Sequence, residues 1–360
     1  MPKTSDAPAA RSGRGLLRIA VPLGIVILLW QIVDLEEVGS LLGQVDPWAV
    51  SLALVLVLVQ NAVSALRWRL TAARLGLRIG RGRALSEYFL SQLLNMTLPA
   101  GVLGDAGRAL RSRAEAGLVP AGQAVVIDRL TGQVALFSVL GAGLVLSAAG
   151  PGVDWPDWVV TVVLWFLGAG AALAAALWIG GQARGRIGQL SHDSRAAVGR
   201  AVLAADVWPW QAALSLVIVG CNLGAFALCA AATGTVLPFV AVISVVPLIL
   251  VTMILPVSVG GWGVREGAAA ALWPTLGAAA EAGIAASVVF GFVILAASLP
   301  GLGALLWPAQ APPRESAPAK ASRRRATSGK GPDDTPRGGR DDHQTMSGAK
   351  TIGRKTGTTK

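Results

Sequence analysis

Six apolar runs constrain this chain more than any other feature, because a helix needs ~20 such residues to cross ~30 Å of hydrocarbon. They cover residues 16–33, 48–66, 124–149, 158–179, 208–233 and 282–307, and all but the first and third carry no charge. Composition agrees: 53% of the 360 residues are apolar and only 14% charged, against roughly 25% charged in a soluble domain. No soluble core hides that much apolar surface, so an ordinary cytosolic enzyme is excluded. Runs of this length select helices over barrel strands, so the expected class is an all-α integral membrane protein. The first run follows Arg11, Arg14 and Arg18 like the start of a signal peptide. No A-x-A-type cleavage site follows it, so a retained signal anchor is expected.

Two further apolar stretches, 84–104 and 240–263, are broken by Leu98-Pro99 and by Leu255-Pro256 with Gly260-Gly261. Each is expected to open a proline-broken re-entrant hairpin. Such backbone survives at membrane depth only where protein or a water-filled cavity covers it.

Charge placement orients the layout. Of the 31 Lys and Arg, 29 fall in residues 1–18, 67–83, 108–113, 184–200 and 314–360; the other two are Arg129 and Arg265. The intervening segments hold acids only: Asp34, Glu36, Glu37 and Asp46, then Asp154 and Asp157. Positive charge stays on the cytoplasmic side, so both termini are expected there and the plasma membrane is the expected location. The net charge of +11 then reports orientation, and no nucleic-acid partner is expected.

The two breaks share a pattern. Leu98-Pro99 through Arg108 and Leu255-Pro256 through Arg265 both read L-P-x4-G-x3-R, 157 residues apart. The spans keep nearly that spacing: Trp48 to Trp208 is 160 residues and Ala124 to Ala282 is 158. Each half, about 16–149 and 158–307, would hold three crossings and one hairpin. An odd number of crossings starts the second half on the opposite side, which is the arrangement of an inverted repeat whose broken helices meet near the midplane. The expected organisation is a cytoplasmic segment 1–15, a membrane domain 16–307 and a disordered basic cytoplasmic tail 308–360. The tail lacks large apolar residues and cannot bury enough surface to fold. Its run Ser322-Arg323-Arg324-Arg325 either touches anionic lipid heads or is simply solvated.

Arg108 and Arg265 follow the bends. Arginine stays charged and offers a planar fork suited to phosphate. A charge near mid-bilayer costs at least ~2.5–3.5 kcal/mol, so a protein carboxylate or an anionic substrate must compensate it. The alternative is that each arginine snorkels to its own interface. Neighbouring glycines, among them Gly104, Gly260 and Gly261, permit close backbone approach. Asp105 and Glu266 either cap helices or serve substrate. Asp128 and Arg129 are adjacent and do not face each other on a helix, so each needs another partner, with Asp105 and Arg108 within the expected reach. Asn95 would satisfy carbonyls freed before Pro99 or bond a head group. The substrate-binding set is therefore Asn95, Pro99, Gly104, Asp105, Arg108, Asp128, Arg129, Pro256, Gly260, Gly261, Arg265 and Glu266.

Several chemistries have no residues to carry them. Two Cys and two His offer no basis for a metal site, and no cofactor is expected. No G-x-x-x-x-G-K-[ST] occurs. Ser258 lacks the leading glycine of G-x-S-x-G, and neither His lies in an apolar run.

The segments Arg67-Trp68, Asn95 through Pro99, Gly104-Asp105, Arg108 and Asp128-Arg129-Leu130, followed by Leu255-Pro256 and Gly260-Gly261-Trp262-Gly263-Val264-Arg265-Glu266, resemble the lysylphosphatidylglycerol synthase transmembrane-region family. Its members are also called flippase-like domain proteins. The resemblance covers about 16–307. It implies a unit that moves an aminoacylated phospholipid between leaflets, without the cytoplasmic synthase domain of bifunctional members. The expected function is translocation of a phospholipid or polyprenyl-linked anionic head group, with membrane lipids as partners and no enzymatic step. Two alternatives stay open: a non-transporting membrane partner of a lipid-modifying enzyme or glycosyltransferase, and an integral-membrane glycosyltransferase using Glu36-Glu37.

Overall fold

A computed structural model describes residues 35–98, 101–149, 155–180, 185–254 and 258–306. The first expected span, the tail, Pro99 and Pro256 lie outside the described residues. Every regular element among the described residues is helical. In chain order these are α1 (Leu35–Gly43), α2 (Pro47–Arg74), α3 (Arg81–Thr97), α4 (Leu103–Ala116), α5 (Leu118–Ala149) and α6 (Asp157–Gly180), then α7 (Arg186–Val198), α8 (Trp208–Ala232), α9 (Phe239–Val251), α10 (Val264–Leu272), α11 (Ala280–Ser298) and α12 (Pro300–Leu306).

Among the described residues, four stretches are long and apolar enough to cross a membrane: Pro47–Arg74, Leu118–Ser147, Trp208–Ala232 and Ala280–Gly303. They match four of the six expected runs. A fifth run forms α6. The last differs from expectation at Leu299-Pro300, where proline separates α11 from the short α12 while Leu299 keeps helical angles (φ −57°, ψ −31°).

Local chemistry sets the helix ends. Asp46 caps α2 by accepting from the Trp48 N–H at 2.9 Å, with Pro47 preset in the first turn. α3 stops because Leu98 precedes a proline and is pushed to extended angles (φ −101°, ψ 147°). The pair expected as the first hairpin, α3 and α4, is longer than expected at both ends, reaching from Arg81 to Ala116. The second pairs α9, extended by one tight turn over Thr252–Ile254, with α10.

α2 and α8, the helices over the second run expected in each half, lie antiparallel. The Asp46 N–H meets the Ala232 carbonyl at 3.1 Å at one end. Gln211 Nε2 donates to Thr71 Oγ1 at 2.9 Å at the other. Lipid gives no hydrophobic drive between helices, so small residues and cross-helix hydrogen bonds hold them. Ala53, Ala65 and Ala72 of α2 and Ala225 and Ala230 of α8 are accordingly buried.

Two glycines fix the longer-range packing. A Cβ at Gly143 of α5 would sit 2.2 Å from the Ile243 carbonyl oxygen of α9. Pro247 inside α9 lacks the N–H that would engage that carbonyl. A Cβ at Gly301 of α12 would sit 2.5 Å from the Phe89 carbonyl oxygen of α3. α5 therefore presses on α9, and α12 on α3. Gly143 and Gly301 are 158 residues apart, the spacing of the spans themselves. Beneath the second hairpin, Phe226 packs edge-on against Phe290 at 5.0 Å and tilts against Trp273 at 6.1 Å, all three fully buried.

Candidate functional site

The two breaks meet. A Cβ at Gly260 would approach the Met96 carbonyl oxygen to 2.8 Å, so only glycine lets the second hairpin's turn reach the end of α3. Gly260 and Gly261 have φ of +59° and +86°, which side chains resist. Beside this junction lies a cavity of about 440 Å³, walled by α2, α3, α4, α5, α8, α9, α11 and both breaks. Its charged lining residues are Arg67, Asp105 and Arg129.

Asp105 is the hub. It stands in the first turn of α4, where the helix dipole favours an anion. Its Oδ1 accepts from Ser91 Oγ at 2.9 Å and Arg108 Nη2 at 3.0 Å. Its Oδ2 accepts from Asn95 Nδ2 at 3.3 Å and Arg129 Nε at 2.6 Å. Asn95 also accepts from the Gly104 N–H at 2.8 Å. It thus serves an amide at the start of α4 rather than carbonyls freed before Pro99. Gly104 is dictated by contact: a Cβ there would lie 2.0 Å from the Ser91 carbonyl oxygen.

Asp128 and Arg129 find separate partners, as adjacency on a helix requires. Asp128 accepts from Arg67 Nε at 3.0 Å, and its backbone carbonyl accepts from Arg67 Nη2 at 2.9 Å. It also lies 3.7 Å from Arg108 Nη2. Arg67 completes its fork on Ser215 Oγ of α8 at 3.0 Å. Arg67, Asp128, Arg108, Asp105 and Arg129 thereby form one chain of ion pairs across α2, α4 and α5. It holds three cations and two anions, so one positive charge has no protein counter-ion within it.

Arg108 and Arg265, expected to grip phosphate, are both fully buried and neither lines the cavity. Protein carboxylates balance them. The Arg108 guanidinium lies between Trp68 and Tyr88, 4.6 and 4.8 Å from the ring centres, a favourable cation–π arrangement. Arg265 lies over Trp262 and Phe290 at 5.2 and 5.6 Å. It donates to Glu266 Oε1 at 2.6 Å and Ser287 Oγ at 2.9 Å. Glu266 Oε2 takes the Gly263 N–H at 2.6 Å and so caps α10. The expected substrate residues therefore separate. Asn95, Asp105, Arg129, Gly260 and Gly261 line the cavity; Gly104, Arg108, Asp128, Arg265 and Glu266 do not.

Of the lining residues outside the expected set, Arg67 and Ser258 bear on the chemistry. Arg67 reads as one of a cluster of orientation charges, yet it is buried at 4% exposure. Its signal was its place at the end of an apolar run, immediately before a tryptophan. Ser258, dismissed as a nucleophile, lines the cavity with its hydroxyl unpartnered among the described residues. Among those residues, no group of three His, Cys, Asp or Glu side chains is placed to hold a metal.

Comparison with known proteins bears on this geometry. The pattern of the family described as "Lysylphosphatidylglycerol synthase TM region" matches residues 15–301. The chain is also similar to Glycosyltransferase AglD of Haloferax volcanii, 32% identical over 142 residues. That stretch is 39% of this chain and 22% of the relative, so the chain spans about a fifth of that protein's length.

Proposed function

We propose, on the premise that this chain belongs to the lysylphosphatidylglycerol synthase TM region family, that it translocates a phospholipid or lipid-linked anionic head group across the plasma membrane. One observation carries the reading: the cavity beside the paired breaks is walled by an ion-pair chain with one positive charge left over. An anionic phosphate is the natural counter-ion. Arg129 is the group to meet it, since its side chain is 43% exposed while already held on Asp105. Arg67 supports it from α2. Arg108 and Arg265 act as positioning residues that hold each hairpin's acid in place.

The same reading takes α3–α4 and α9–α10 as re-entrant hairpins of an inverted repeat, with six crossings and both termini cytoplasmic. Three contacts support it: α2 and α8 run antiparallel, the breaks touch at Gly260, and the Gly143 and Gly301 contacts relate the halves reciprocally. The test is purified protein in liposomes carrying a fluorescent anionic lipid in one leaflet. Wild-type protein is expected to move the label between leaflets, and Arg129→Gln to slow it roughly ten- to hundredfold, the worth of one charge-assisted contact. Equal rates in both would remove the cavity from the mechanism.

A second reading has one observation behind it, the partial similarity to a glycosyltransferase. Here the membrane unit serves a lipid-modifying enzyme or glycosyltransferase, as its partner or its anchor, without moving lipid. It expects no label movement in liposomes and restoration of the enzyme's product by Arg129→Gln protein.

A further inference from the structure

The cavity is chemically one-sided, although the folds around it repeat. Its three charged residues all belong to the first half, as do Gln60, Tyr88, Gln92, Asn95 and Gln133. The second half contributes mainly apolar side chains, among them Leu250, Met253, Ile254, Phe290 and Ile294, with Asn222 of α8 a polar exception. Where Asp128-Arg129 face the cavity network, the position 158 residues on is Ala286-Ser287, and no charge is offered. Ser258 interrupts the apolar wall. It is 3% exposed, and its hydroxyl has no partner among the described residues. On another lining residue, the Gln133 Oε1 is likewise buried without a partner among the described residues. A buried polar atom left unpaired is costly, and a carbonyl oxygen can be satisfied only by a donor.

Resting on the translocation reading, we infer that the cavity holds a second subsite, in which Ser258 and Gln133 recognise a hydrogen-bond donor on the head group beyond its phosphate. The phosphate pairs with Arg129, a hydroxyl or ammonium N–H reaches Ser258 Oγ and Gln133 Oε1, and apolar parts of the lipid lie along the second half's wall. The substrate class is an anionic phosphodiester lipid whose head group carries a donor. A head group of equal charge and size without one leaves both protein atoms unpaired, and sites built around hydrogen bonds discriminate against such analogues.

The test compares two short-chain lipids of equal charge and matched size, one with a phosphate-linked 2-hydroxyethyl group and one with a phosphate-linked propyl group. Binding is measured calorimetrically on the full chain in detergent, and transport separately in liposomes. Wild-type protein is expected to bind the hydroxyethyl lipid roughly tenfold tighter. Ser258→Ala should erase most of that preference by weakening the hydroxyethyl lipid alone. Arg129→Gln should weaken both lipids together and keep their ratio. Equal binding of the two lipids by wild type, binding of neither, or a preference that survives in Ser258→Ala would overturn the subsite. A Ser258-dependent binding preference without lipid movement in liposomes would keep the subsite and overturn translocation.

Discussion

Arg129 and Arg108 carry the same group and bond the same carboxylate, yet their surroundings assign them different work. Arg108 is enclosed by two aromatic rings and two aspartates with no exposure at all. Arg129 keeps 43% of its side chain accessible beside the cavity. Replacing Arg129 should therefore change transport and spare the fold: Arg129→Gln is expected to keep its thermal midpoint, and Arg129→Lys to recover only part of the rate because lysine lacks the fork. Replacing an enclosed arginine should do the reverse. Removing one partner of a buried pair costs ~3–5 kcal/mol because the other charge is stranded. Arg265→Gln, which strands Glu266, is expected to lower the midpoint in detergent clearly. The double variant Arg265→Gln with Glu266→Gln should regain a measurable part of that loss, since no charge is left alone. A double variant no more stable than the single one would count against charge pairing as the role of Arg265.

The hairpin arms are held by contact rather than by helix preference. α4 contains Gly104 and Gly107, each of which weakens a helix by about 1 kcal/mol relative to alanine. It forms because Asn95 takes an amide at its start and because Gly104 lets it touch α3 at Ser91. A Cβ at that point would press on backbone that has no rotamer to change. Gly104→Ala is accordingly expected to separate the arms and to cut folded yield, read by size-exclusion chromatography in detergent. Gly122 of α5 is the control, because nothing lies within 4 Å of a Cβ there. Gly122→Ala should be neutral or stabilising by up to ~1 kcal/mol, the usual helix preference for alanine over glycine. Gly143→Leu tests the contact between halves: it should loosen α5 from α9 and reduce transport together with stability.

At the scale of the molecule the expectation is an inverted pair of three-crossing halves, and topology can be read directly. In a background with Cys221 and Cys229 replaced by serine, single cysteines at Glu36 and Asp157 should label from outside intact cells. Cysteines at Arg74 and Arg195 should label only after permeabilisation. Labelling of Arg195 from outside would remove both the orientation and the inverted repeat. The long helices were legible in the sequence, because the terms that decide them are local and additive. Span length and apolarity fix which runs form long helices, and those over 48–66, 124–149, 158–179 and 208–233 appear as α2, α5, α6 and α8. Leu98 stops α3 because the proline after it acts on the immediately preceding residue alone. The need for partners around Asp128 and Arg129 was also legible, since adjacent residues diverge on a helix. Which partner each charge takes was not. Arg67 and Asp128 are 61 residues apart, and a guanidinium carries the same charge whether it orients a loop or closes a buried pair. Sequence symmetry also put Arg108 and Arg265 forward as equals at the site. Tertiary packing instead turned both arginines toward aromatic rings and carboxylates, and left Arg129 facing the cavity, because an ion pair forms wherever the folded chain brings opposite charges within a few ångströms.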